Sequence, residues 1–224
     1  MWQLYQFPLC PFSRKVRLML GEKGIAHELV RESPWTRRDE FLDMNPAAQT
    51  PVLVEDQKGT VLIDSQVICE YFEETIEKAP MIPGTAANRA EVRRLVAFFD
   101  QRLHAEVVLP LMEERMKKRL VSRDPPDTRV LREAMKTANA HLDYMDYLLD
   151  HRRWLAGPVL SLADLAAAAH LSVADYLGGV DWRGHKQTAD WYAVMKSRPS
   201  FRPLLGERME VISPPAHYDK VDFF

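Results

Sequence analysis

Leu9-Cys10-Pro11-Phe12-Ser13-Arg14-Lys15-Val16-Arg17-Leu18-Met19-Leu20 is the stretch whose reading decides the fold. The apolar run before it, Trp2 to Phe7, reads as a β-strand, and Val16, Leu18, Met19 and Leu20 after it have helical spacing. Pro8 to Phe12 is therefore the turn from strand to helix, with Cys10 and Ser13 at the helix N-terminus. Unpaired amides and the positive end of the helix dipole favour negative charge there. A cysteine so placed can have its thiol pKa drawn into the range of roughly 3.5–7.5. The same spot can instead hold a bound thiolate beside the Ser13 hydroxyl. Two plainer readings stand beside these: Cys10 as a small buried apolar residue and Ser13 as a simple cap.

Outward from this turn, the chain continues to alternate. Glu28 to Arg31 reads as a second strand and Pro34 to Leu42 as a short helix or helical loop. Val52-Leu53-Val54 and Val61-Leu62-Ile63, separated by a polar hexapeptide containing Gly59, read as a β-hairpin. From Ser65 the pattern is helical, with Val67, Ile68, Tyr71, Phe72 and Ile76 on one face. The order β-α-β-α-β-β-α needs one crossover helix between parallel strands.

Ala79-Pro80-Met81-Ile82-Pro83-Gly84 breaks the composition, so the expected division is an α/β domain over 1–78 and a linker over 79–87. An all-helical domain over 88–210 and an extended tail over 211–224 follow. In the helical part, Val92, Leu95, Val96, Phe99 and Leu103 form a stripe expected to be interrupted near Pro110. Asp127 opens the next helix as a cap. Ser161-Leu162-Ala163-Asp164 resembles a capping box before a helix too small-sided and apolar for a surface, expected at the centre of the domain. Glu113 to Arg119 reads as a solvated helix face.

Composition bounds the rest. The 224 residues are 46% hydrophobic and 28% charged, the balance of an ordinary globular chain with no bilayer-spanning run. Two cysteines, Cys10 and Cys69, argue against a disulfide framework, and the start of the chain has no secretory pattern, so a reducing cytoplasm is expected. A formal net charge of −2 gives no field that would attract nucleic acid. There is no P-loop, internal repeat or Cys/His set at metal-ligand spacing, and none of the seven histidines stands out.

Taken together, this organisation resembles the glutathione transferase superfamily over nearly the whole chain. Four pieces carry the likeness: Cys10-Pro11-Phe12-Ser13, Gln49-Thr50-Pro51-Val52-Leu53, Asp64-Ser65 and Ser161-Leu162-Ala163-Asp164. The resemblance implies a thioredoxin-like domain followed by an all-α domain, a cis peptide before Pro51, and a two-fold homodimer. It also implies glutathione as a possible ligand or cosubstrate, with no other cofactor required. Thr50 would pair with the tripeptide's main chain, Ser65 would take its γ-glutamyl carboxylate, and Asp64 would face its ammonium. Cys10 or Ser13 would do the thiol chemistry. The plain alternative is that Asp64 or Ser65 caps a helix and Pro51 only makes a turn.

Trp35 to Phe41, Ile68 to Tyr71, His141 to Tyr144 and above all Pro214-Pro215-Ala216-His217-Tyr218-Asp219 are similar to the FzlA family within that superfamily. These are bacterial division proteins that bind the tubulin-like polymer FtsZ, and the resemblance implies a binding scaffold for FtsZ filaments. The alternative is a glutathione-dependent transferase or thiol-exchange enzyme, and a scaffold of the stringent starvation protein A type is a third reading. Trp35, Arg37, Arg38, His217, Tyr218, Asp219 and Asp222 are the candidate partner-binding residues, exposed aromatics and charges being typical of such surfaces. For the tail, packing back over the helical domain is the equal alternative.

Overall fold

The computed structural model describes residues 1–56 and 59–221. Its first layer comprises β1 (Trp2–Gln6), α1 (Pro11–Lys23), β2 (His27–Arg31), α2 (Asp39–Met44), β3 (Val52–Glu55), β4 (Thr60–Ile63) and α3 (Ser65–Thr75). The sheet order is β2-β1-β3-β4. β1 and β2 are parallel, with Leu4 beside Leu29, and the crossover between them is α1. β3 runs antiparallel to both β1 and β4, with Leu53 between Leu4 and Leu62. The alternation expected from the sequence is present, and Gln57 and Lys58 of the hairpin lie outside the described residues.

α1 ends where Gly24 adopts φ +70°, letting its N–H and that of Ile25 reach the carbonyls of Gly21 and Leu20 at 3.2 and 2.8 Å. Gly21 allows close packing against the far end of the chain: a Cβ there would lie 2.8 Å from that of Ser200.

A rod of helical turns over 86–122 opens the second layer. It comprises α4 (Ala86–Ala97), the wide-wound segment Phe98–Val108, α5 (Leu109–Leu111) and a second wide-wound segment, Met112–Ser122. Thr85 and Asn88 close a capping box at its start. The interruption expected near Pro110 does not occur. The Leu109 N–H bonds to the His104 carbonyl five residues back, a π-type turn. A wider turn leaves room for the Pro110 ring, which would collide with the carbonyl of a tighter one.

α6 (Thr128–His151), α7 (Leu162–Tyr176), α8 (Lys186–Ser197) and α9 (Arg202–Leu205) complete the bundle. The expected cap at Asp127 is present, its carboxylate accepting the Arg129 N–H at 2.8 Å. Every residue of α7 is buried, as its small apolar composition predicts, and α1 packs along it. Complete removal of Val16, Leu18, Met19 and Leu20 from solvent contributes about 1.5–3 kcal/mol for each large side chain.

The same packing buries charge. Arg14 and Lys15 are both 0% exposed. Lys15 pairs with Asp100 of the rod, which also accepts from His170 of α7 at 3.1 Å. Arg14 donates to the Pro8 carbonyl at 2.7 Å, to Ser172 at 2.8 Å, to the Tyr218 hydroxyl at 3.0 Å and to Glu207 at 3.4 Å.

Tyr218 thus fixes the end of the chain. Its ring meets Tyr176 edge-on at 5.1 Å, and the Tyr176 hydroxyl donates to the Ile212 carbonyl at 2.8 Å. The segment over 211–221 is therefore a strap docked on α7, α8 and α1, the packing-back alternative of the sequence reading. Burial of an aromatic ring with a satisfied hydroxyl outweighs the entropy that a loose terminus would retain.

Candidate functional site: the Cys10 cleft

Cys10 occupies the N-cap position of α1 in extended conformation (φ −81°, ψ 115°) and makes no side-chain bond to the helix amides. Pro11 follows at the first helical position, where its missing N–H costs nothing. The half-buried Cys10 thiol points across to the Thr50 carbonyl at 3.5 Å. Thr50-Pro51 is cis, as the resemblance implied.

Cys10, Phe7 and Trp35 on one side, with His104, Met112 and Met116 of the rod on the other, line a cleft of about 520 Å³ between the layers. Glu113 and Lys117 also line it, paired at 2.8 Å. Its walls are apolar with a few polar groups, the composition of a small-molecule site.

Thr50, Pro51, Asp64 and Ser65 meet in an adjoining pocket of about 130 Å³. Phe12, Asp64 and Ser65 continue into a third groove of about 490 Å³ that reaches Asp100. The four residues proposed to hold a tripeptide are therefore side by side, next to Cys10.

Asp64 also does what the plain reading expected. It is the N-cap of α3 at φ +81°, and its Oδ1 accepts from the Gln66 and Val67 amides at 2.7 and 3.3 Å. Ser65 is buried in the first turn behind it. That capping uses Oδ1 of Asp64.

Ser13 is placed otherwise. It is 0% exposed inside α1, lines none of these cavities, and its hydroxyl has no partner among the described residues. Three residues past the cap, it has already turned to the buried face of the helix. Between the two sequence candidates, the structure sets only Cys10 at the cleft.

The sequence reading missed Phe12 and His104. Phe12 borders all three cavities, its ring edge-on to His104 at 4.8 Å and His170 at 5.2 Å. Burial pushes the His104 imidazole down to about 4, so it is neutral near pH 7, with its Nδ1 unbonded among the described residues. Burial likewise lowers the His170 pKa against the pull of Asp100. Nothing in the sequence joins position 104 to position 10; only the crossing of the rod over α1 does.

The remaining candidates do not form one cluster. Trp35 is half-buried, its ring edge-on to Phe7 at 5.2 Å, so it is wall of the cleft as well as surface. Arg37 is exposed. Arg38 is tied to the buried Glu32 carboxylate at 2.5 Å, so its charge is largely committed within the fold. His217 bonds to Asp175 at 2.8 Å, and Tyr218 is buried outright. Tyr218 is thus unavailable to a partner, and the packing-back alternative holds for both. Asp219 stays exposed, paired with Arg208 at 2.8 Å. Asp222 lies outside the described residues.

Comparison with known proteins agrees with this geometry. Residues 4–80 match the family described as Glutathione S-transferase, N-terminal domain. FtsZ-localized protein A of Caulobacter vibrioides is 44% identical over 222 residues, 98% of this chain and 97% of that protein. The crystal structure of a glutathione S-transferase from Rhodospirillum rubrum F11 superposes with a TM-score of 0.97 at 48% identity, covering 100% of both chains. The structure of FzlA from C. crescentus superposes at 0.96 with 44% identity over 99% of each. With likeness this extensive in both sequence and shape, the chain belongs to the glutathione transferase superfamily and, within it, to the FzlA family.

Proposed function

We propose that this protein is a binding scaffold for FtsZ filaments in bacterial cell division. The observation that carries the reading is the likeness to FtsZ-localized protein A, which covers 98% of the chain. The docked strap supports it, because a fixed segment presents Asp219 at a defined place and so loses little entropy on binding. Arg37 and the open face of Trp35 would supply a second contact. A homodimer would double each contact and let avidity bridge filaments. Val61, Ile63 and Val67, exposed on β4 and α3, are apolar surface suited to such an interface. The compartment expected for this work is the cytoplasm, where Cys10 and Cys69 stay reduced.

Co-sedimentation with polymerised FtsZ tests the proposal. The wild type should pellet with filaments, and Arg37→Glu and Asp219→Lys should each weaken pelleting without changing the melting temperature. A wild type that stays in the supernatant rejects the function. Undiminished pelleting of both variants rejects only the assigned contacts. Truncation after Val211 is a poor test, because it removes the buried Tyr218 as well as the surface.

One further observation favours a second reading. Cys10 stands at a helix N-terminus with no side-chain cap, beside cis-Pro51, and the small pocket at Thr50, Asp64 and Ser65 lies between two larger grooves that share its lining residues. We propose glutathione binding there, with transfer or thiol exchange through Cys10. Glutathione at about 100 times its dissociation constant adds roughly 2.7 kcal/mol of stability. An unchanged melting temperature with millimolar glutathione would refute binding. Turnover of a dinitrohalobenzene or a hydroxyethyl disulfide that survives Cys10→Ala would refute the role of the thiol.

A further inference from the structure

We infer that α6 and the start of α8 form a site for a divalent transition cation of the zinc class, held by Asp143, Asp146 and His185. Asp143 and Asp146 are three residues apart on α6 and share a face. His185, at the N-cap position of α8, brings its imidazole onto that face with the side chain only 9% exposed. Its Nδ1 is 2.9 Å from Asp146 Oδ2 and 3.6 Å from Asp143 Oδ1, and one donor atom from each residue lies within 4.8 Å of the others. Ligands at zinc's usual bond lengths of about 2.0–2.2 Å stand roughly 3.4 Å apart around a tetrahedron. The observed separations bracket that value, and the Asp143 side chain, 75% exposed, is free to close the remainder.

Two independent features make this more than a hydrogen-bonded histidine. First, Asp146 is oriented from behind: its Oδ1 accepts from the Thr188 N–H at 2.8 Å and the Thr188 hydroxyl at 2.7 Å, leaving Oδ2 turned to the site. Outer-shell bonds of this kind fix a metal-binding carboxylate. Second, the charge is unbalanced. Two carboxylates face one imidazole, and the two cations that flank His185 in sequence are paired with other carboxylates, Arg183 with Asp181 at 2.6 Å and Lys186 with Asp190 at 2.5 Å. One nitrogen and two oxygens suit zinc-class ions over magnesium or calcium, which favour all-oxygen sets. The fourth position is left for water or an outside donor. A bound ion would pin the start of α8, whose Trp191 donates to Asp164 at 3.1 Å and whose Lys196 lies 5.9 Å from the Tyr218 ring, and so would stiffen the seat of the strap.

The test is calorimetric titration of the chelator-treated full chain with zinc chloride, with thermal unfolding followed in parallel. One equivalent should bind and raise the melting temperature. Asp143→Asn, at an exposed position that leaves the fold intact, should weaken that binding about tenfold or more, and His185→Gln should weaken it further. Cobalt should give the visible absorption of a low-symmetry site in the wild type and lose it in Asp143→Asn. Three results would overturn the assignment: no zinc uptake, uptake equally tight in Asp143→Asn, or no preference for zinc over magnesium. The filament and glutathione readings stand or fall separately.

Discussion

Two helix starts in this protein solve the same problem in opposite ways. At α7 the Asp164 carboxylate is 0% exposed and accepts four bonds: the Leu155 N–H, the Ser161 N–H, the Ser161 hydroxyl and the Trp191 indole, at 3.0, 3.0, 3.0 and 3.1 Å. At α1 the cap residue is Cys10, half-buried, bonded to no helix amide and facing a cleft. The first start is saturated and serves the fold. The second has no side-chain cap, and a helix start of that kind attracts a thiolate or other anion. A helix N-terminus is a site only where the protein declines to satisfy it.

The sharpest way to break this contrast is Asp164→Ala, which strands four donors in the core. Loss of at least about 3 kcal/mol of unfolding free energy is expected in urea titration, since each buried group left unpaired costs about 1–3 kcal/mol. A loss below about 1 kcal/mol would show that α7 does not depend on its cap.

Next in size is a pH effect of opposite sign at the two places. Burial raises the Asp164 pKa from 3.8 to about 6, so between those values the folded state holds a proton that the unfolded chain has released. The stability this contributes is fully present below about pH 4 and is lost as pH rises through about 6. The loss is about 2 to 3 kcal/mol. The gap in unfolding free energy between wild type and Asp164→Asn should shift by that amount across the window. His104, lowered from 6.5 to about 4, behaves in reverse. Its contribution is present above pH 6.5 and is lost as pH falls through about 4, so His104→Gln should flatten the acid limb of the stability curve.

Tyr218→Phe should cost about 1–2 kcal/mol, because one bond of the buried Arg14 loses its acceptor. Smallest of all, Cys10→Ala should cost less than about 1 kcal/mol, there being no cap bond to lose and only the weak thiol contact with the Thr50 carbonyl. A larger cost would mean that Cys10 is a structural residue after all.

Most of the frame was legible along the chain, because strands, amphipathic helices, caps and the Pro/Gly break depend on neighbours a few residues apart. The Cys10 turn, the Ser65 helix start and the Ser161-Asp164 box could be read that way, whereas the Thr50-Pro51 corner came from the family resemblance. Pro110 misled the reading because a local rule predicts a break, whereas packing on both flanks makes a wide turn the easier solution.

What the sequence alone determined, then, is the α/β-then-α order and the turn that carries the thiol. What only the tertiary structure decided is which polar residues are buried. Arg14-Lys15-Val16-Arg17 looks like a helix with a wet basic face, yet α1 is covered by α7, the rod and the strap together. The same assembly hid Ser13, turned Tyr218 inward, and brought His104 to Cys10 and His185 to Asp146. Periodicity reports one face of one element. Burial and charge pairing depend on what is laid against every face, by residues far away in the chain.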